Sequence, residues 1–358
     1  MYTKKAWFTI IILVVLIKIF AVFPVAVEKY YSNGIYPIIS RLQRWLFGWI
    51  PFSIGDIIYA TAAVYLLVKL FRLVKAITKR KAGKQFWWQG LQWLLFNALW
   101  VYAVFNILWG LNYNRLGNAY QMQLHMKPYT NEELKTVMRI VLKRLDETDT
   151  AALETRNRYE RNATLFNESY QSYQIANTKY PHLVYNTKSV KPSLFSYLGD
   201  YMGYTGYYNP FTGEAQVNTT VPVFVLPFTT CHEMGHQLGY AKENEANFAG
   251  YLSARSSADA SFRYSVYFDL YSYGIRELYM KDSLSAISFN KQLPLQVRKD
   301  YKAMRDFFDK YQNPLEPYIR KLYGQYLKAN EQPTGVQSYS EVVAFLVAYY
   351  KKYGEEAL

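Results

Sequence analysis

The residues able to do chemistry gather in one stretch, Thr230-Cys-His-Glu-Met-Gly-His-Gln-Leu-Gly-Tyr-Ala-Lys-Glu-Asn-Glu-Ala-Asn-Phe-Ala249. It holds two of the chain's four histidines in the pattern His232-Glu233-Met-Gly-His236. On a helix, residues four apart share a face, with Cβ atoms about 5–6 Å apart. Two imidazoles so placed can close on one Zn2+ at roughly 2.0–2.1 Å. Glu233 follows the first histidine and can take a proton from water that zinc has made acidic, then pass it to a leaving amine. That is the chemistry of peptide-bond hydrolysis. The same three positions also fit two surface histidines and an ordinary helical glutamate.

The neighbouring sequence favours the metal. Half of the histidines lie in this motif, and Gly239 permits a sharp turn just past it. A second helical pattern then supplies Glu243-Asn-Glu-Ala-Asn247. The third ligand must be Glu243 or Glu245. Glu243 and Asn247 share a face, so Glu243 could bind zinc while Asn247 hydrogen-bonds a ligand. Face geometry favours Glu243. Lys242 stands where HExxHxxGxxH sites place a third histidine, which disfavours that site type. Cys231 is the only cysteine, so an intrachain disulfide and a multi-cysteine metal site are excluded. No base is indicated for it as a nucleophile, and a buried thiol is the expected fate.

HExxH followed by ExxAN resembles the gluzincin group of zinc metallopeptidases, over His232–Asn247. That resemblance implies a glutamate third ligand from a downstream helix, although the gap from His236 to Glu243 is shorter than in many of its members. The whole chain resembles a poorly characterised family of bacterial polytopic membrane proteins. The likeness is carried by Pro51-Phe-Ser-Ile-Gly-Asp-Ile-Ile-Tyr59, Trp109-Gly-Leu-Asn-Tyr-Asn-Arg115, Pro210-Phe-Thr-Gly-Glu-Ala215 and Phe262-Arg-Tyr-Ser265. It implies a bacterial inner-membrane location and names no substrate.

The elements that must position these groups read as mostly helical. A helix should start near Pro227 and end at Gly239. Tyr201–Asn218, rich in Gly, Tyr and Asn, reads as strand, turn around Thr212-Gly213, strand. The hairpin could present an edge strand to an extended substrate, or simply pack on the helix. Thr130-Asn-Glu-Glu133 is a capping box opening a helix to about 153. Further helices are expected at 164–179, 242–255, 258–280, 294–312, 315–329 and 338–353, the last opened by a second capping box at Ser338–Glu341. The group polarising a scissile carbonyl is not fixed. Tyr207, Tyr208, His125, His182 and Arg263 are candidates, each also fit for a structural role.

The N-terminal third reads differently. Of 358 residues, 51% are hydrophobic and 19% charged, which excludes general disorder. The 18% aromatic content suits a chain that meets a membrane interface. Apolar runs cover 7–27, 57–73 and 89–111, and about 20 such residues cross a bilayer. The net charge is +14, and residues 1–112 carry 13 basic and two acidic residues. Basic charge could mean nucleic acid, but here it flanks apolar runs, which is a membrane pattern. Counted by side, Lys4, Lys5 and the cluster from Arg72 to Lys84 give eight cations against three for Lys29, Arg41 and Arg44. The positive-inside rule then puts the N-terminus and the loop near residue 80 inside, and residues 112–358 outside. Between the first two runs, Ile35, Ile38, Leu42, Trp45 and Trp49 recur at helical spacing, fitting a helix in the outer interface or a core helix of the anchor.

The expected architecture is therefore α+β and mostly helical. A three-helix membrane anchor (1–112) precedes a zincin-like extracytoplasmic domain (113–358) with a small sheet. The expected function is a membrane-anchored zinc metallopeptidase acting on a peptide or protein, with metal ligands His232, His236 and Glu243 and catalytic Glu233. Its other partner is the lipid bilayer, and nucleic acid is not expected. The alternative is a non-catalytic zinc-binding sensor or envelope assembly factor. Intramembrane proteolysis is disfavoured because the motif lies in soluble sequence, and transport because three spans leave little room for a pathway.

Overall fold

The computed structural model describes residues 2–335, 337 and 341–358. The fold is mostly helical with one three-stranded sheet, an α+β architecture. Two helices, Ile54–Thr78 and Lys84–Leu108, are long and apolar enough to cross a membrane. A third crossing exists if the bent pair Lys4–Ala21 and Pro24–Phe47, at 96°, is counted as one span.

That bend departs from the sequence reading, which ran the first span unbroken over 7–27. The helix stops at Ala21 and restarts at Pro24, then continues as a π-helix over Val27–Ile35. Pro24 has no N–H, and its ring collides with the carbonyl four residues back. The helix Tyr36–Phe47 is inverted relative to a soluble one. It buries Tyr36, Ser40, Gln43 and Arg44 and exposes Ile38, Leu42 and Trp45. An apolar face turned outward is the arrangement of a helix lying on a membrane surface. It favours the interfacial reading over a core helix.

The helix Asn131–Thr155 opens on the expected capping box, with Thr130 and Glu133 exchanging hydrogen bonds. Leu134, Met138, Val141 and Leu145 form its buried stripe and pack on the helix Ala260–Lys281. These two join Asn162–Lys179, Leu226–Gln237, Glu243–Ser256 and Val342–Tyr353 in one core. A separate helix, Ser283–Gln292, capped by Asp282, lies where no element was expected. Residues 338–340 of the expected capping box at Ser338–Glu341 lie outside the described residues, and the Glu341 carboxylate accepts from Asn244 and Thr334.

The sheet comprises β1 (Val190–Pro192), β2 (Gly206–Asn209) and β3 (Glu214–Val217), in the order β1-β3-β2. β3 is central, parallel to β1 and antiparallel to β2. The β2–β3 turn is held by the Asn209 side chain, which accepts from the N–H groups of Phe211 and Thr212. β1 is three residues long, too short for a period to show in the sequence. β2 is an edge strand among the described residues.

Candidate metal centre

All twelve residues of the helix Leu226–Gln237 are buried, including His232, Glu233 and His236. At its end the Gln237 side chain is held by the Tyr185 hydroxyl and the carbonyls of Ser189 and Gly213. Gly239, at φ 84°, turns the chain after it, and the helix Glu243–Ser256 returns alongside. The two pack closely where Gly250 faces the backbone of His232: a Cβ at 250 would lie 3.0 Å from the His232 nitrogen. This close crossing brings the N-terminal residue of the second helix onto the histidine face of the first.

The result is a convergence of three atoms. Glu243 Oε2 lies 3.2 Å from His232 Nε2 and 3.6 Å from His236 Nε2. Tetrahedral ligands about 2.0–2.1 Å from zinc stand roughly 3.3–3.4 Å from one another, so the donor set fits the ion. His236 Nδ1 is 2.7 Å from the carbonyl of Tyr240. A carbonyl only accepts, so Nδ1 carries the proton and Nε2 keeps its lone pair for a metal. Burial alone would raise the Glu243 carboxyl, but the two imidazoles that face it outweigh burial and hold it well below the usual carboxylate range. The ligand is therefore an anion.

Glu233 belongs to the same cluster, its ligand atom within 4.8 Å of those of the two histidines. Its Oε2 is buried with no hydrogen-bond partner among the described residues. Burial pushes this carboxyl up to about 7, with the Glu243 charge adding and the imidazoles opposing. Strand β2 passes directly over it: a Cβ at Gly206 would lie 2.6 Å from Glu233 Oε1. His232, Glu233 and Gly206 all line a cleft of roughly 1560 Å³.

Glu245 points elsewhere. Its carboxylate accepts from the backbone N–H and the side-chain amide of Asn118, at 2.7 and 2.6 Å. The residue that holds Glu243 is Tyr323, whose hydroxyl donates to Oε1 at 2.8 Å. The side-chain oxygen of Gln332 also accepts from the Glu243 N–H. The sequence offers no signal for either, since both lie some eighty residues downstream. Of the five residues considered for carbonyl polarisation, only Tyr207 lines the cleft, and its hydroxyl is bonded to Asp56. Tyr208 is buried against Trp109 and His236. His182, lowered to about 4 by burial and by Arg115, is half-buried, and His125 is exposed. Arg263 donates to the carbonyls of Ser257 and Ala258. Cys231 is buried and its thiol is pushed up to about 12 by burial, which suits packing rather than nucleophilic attack.

Membrane-side residues close the end of the motif helix. Tyr36 and Ser40 hydroxyls donate to the Gln237 carbonyl at 2.9 and 2.7 Å, and the Trp109 indole donates to the His236 carbonyl at 3.0 Å. Arg115 donates to the Gly239 carbonyl and forms a buried ion pair with Glu28 at 2.9 Å. Position 112 separates membrane helices from the rest along the chain, but tight packing crosses it.

Residues 31–347 match the family model described as a protein of unknown function (DUF3810), and the chain belongs to that family. No curated protein and no solved structure matches it.

Proposed function

We propose that this member of a family of unknown function is a membrane-anchored zinc metallopeptidase of the gluzincin type. The observation that carries the reading is the meeting of His232 Nε2, His236 Nε2 and Glu243 Oε2 at 3.2–3.6 Å beside a buried glutamate that faces a cleft. A purely structural zinc site is closed by four protein ligands and needs no such carboxylate. This weighs against a non-catalytic sensor or assembly factor.

Zinc bound by these three residues supplies Lewis acidity, which polarises a carbonyl and brings the pKa of water to about 7. Glu233, desolvated and free of competing hydrogen bonds at Oε2, takes the water proton and delivers it to the leaving amine. The Tyr240 carbonyl keeps the His236 ring in the ligating tautomer, and Tyr323 keeps Glu243 from rotating away. The unpaired edge of β2 aligns an extended peptide over Glu233 by main-chain hydrogen bonds.

The cation count around the apolar runs supports three crossings with the N-terminus inside. The helix Lys4–Ala21, at 1.5 Å per residue about 27 Å long, is near the hydrocarbon thickness by itself. The site then faces the extracytoplasmic side of a bacterial inner membrane. The test is metal analysis and peptide-library cleavage by the full-length protein beside Glu233→Gln and His236→Ala. Glu233→Gln should retain zinc and lose hydrolysis by about 10²–10⁴-fold, and His236→Ala should lose both. Full activity in zinc-replete Glu233→Gln would refute the mechanism.

A further inference from the structure

We propose that the substrate is a membrane-anchored polypeptide, taken by an extended acidic segment just outside its own membrane span; this rests on the hydrolytic reading of the site. The cleft that contains His232 and Glu233 is walled in part by Tyr59, in the second turn of the spanning helix Ile54–Thr78. Tyrosine at that depth belongs to the water–bilayer boundary. Tyr59 stacks on Tyr207 of β2 with ring centroids 6.2 Å apart. The Tyr207 hydroxyl is bonded to Asp56 in the first turn of the same helix. The substrate-aligning edge is thus fastened to the point where the chain enters the membrane. A strand added beside β2 lies over Glu233 within a few residues of the bilayer.

The rim agrees. Leu198 and Leu322 line the cleft and are 53% and 66% exposed, and their neighbours Tyr197 and Tyr318 are 72% and 69% exposed. These sit on two short helices that touch each other, Ser196–Met202 and Glu316–Ala329. An apolar rim beside a spanning helix rests in the headgroup layer, which favours an approach along the membrane. Arg276 and Arg305 also line the cleft, and neither joins an ion pair among the described residues. Both side chains are exposed at its mouth, where their positive charge favours an anionic occupant. The open strand edge beside Glu233 selects a polypeptide over a lipid headgroup.

The test uses the zinc-loaded full-length protein in liposomes with three substrates that share one acidic segment. In the first it abuts a membrane span, in the second a 30-residue Gly/Ser spacer separates them, and in the third it is soluble. The first should be cut roughly tenfold or more faster than the second, which controls for the concentration gained by tethering. Arg276→Glu with Arg305→Glu should remove the preference for acidic over basic segments. Equal cutting of the first two substrates would overturn the proposal. If none is cut, the hydrolytic reading fails, and photo-crosslinking from position 198 in Glu233→Gln then decides docking by itself. Spacer-sensitive crosslinking to the peptide upholds docking. Its absence, or its complete competition by anionic lipid, overturns it.

Discussion

The indole N–H of Trp109, just past the membrane helix Lys84–Leu108, donates to the carbonyl of His236, 3.0 Å away. The residue that follows a helix apolar enough to cross a membrane therefore holds the residue that carries the second imidazole. The last carbonyls of a helix have no partner within it, and here the N-terminal third supplies Trp109 and Tyr36 to His236 and Tyr36 and Ser40 to Gln237. The anchor is part of the site's support.

Trp109→Phe keeps an aromatic ring against Tyr208 and removes the donor. It should cost about 0.5–1.5 kcal/mol, the net worth of one hydrogen bond, because the His236 carbonyl keeps the Gly239 N–H at 3.0 Å. Removing residues 1–112 also deletes Tyr36, Ser40 and Glu28. The fragment 113–358 should therefore melt lower and bind zinc more weakly than the full chain in detergent. Equal Tm values for wild type, Trp109→Phe and fragment would contradict this coupling.

Glu243 and Glu245 should separate cleanly. Glu243→Ala should abolish stoichiometric zinc binding, because it removes the anionic ligand. Glu245→Ala should keep zinc and lose about 1–3 kcal/mol of stability through the orphaned Asn118 donors. Metal content and chemical denaturation on both variants check this, and the reverse pattern would mean that the ligand is misassigned.

Tyr323→Phe deletes one hydroxyl from the oxygen of Glu243 that faces away from the histidines. Partners that orient metal ligands are worth about 10–100-fold in affinity. Competition with a chelator should show zinc affinity falling in that range while Tm of the metal-free protein moves little. An unchanged dissociation constant would reduce Tyr323 to packing.

The metal-free protein carries a pH signature. Glu233 is pushed up to about 7 from an ordinary 4.5, so between those values the folded state binds more protons than the unfolded one. Its contribution to stability is whole below pH 4.5 and lost as pH rises through 7. Glu233→Gln does not titrate. Relative to wild type it should gain roughly 1–3 kcal/mol between pH 4.5 and 8. A gap in Tm that stays constant across that range would exclude this ionisation.

Much of the molecule is legible in order along the chain. The capping box at Thr130, the stop at Gly239 and the turn at Thr212-Gly213 are local devices, and local chemistry is what a sequence states directly. Helical spacing likewise puts His232 and His236 on one face. The helix break at Pro24 does not show in hydropathy, which is blind to a missing N–H. What spacing leaves open is distance in three dimensions. Glu243 and Glu245 are two residues apart and equally plausible as ligands by type. Only the close crossing at Gly250 turns the first to the histidines and the second to Asn118. Tyr323, Gln332 and Trp109 reach the motif from 80 or more positions away, where no period connects them. Those contacts depend on which helix ends the packed core brings together, a property of the whole fold rather than of any segment.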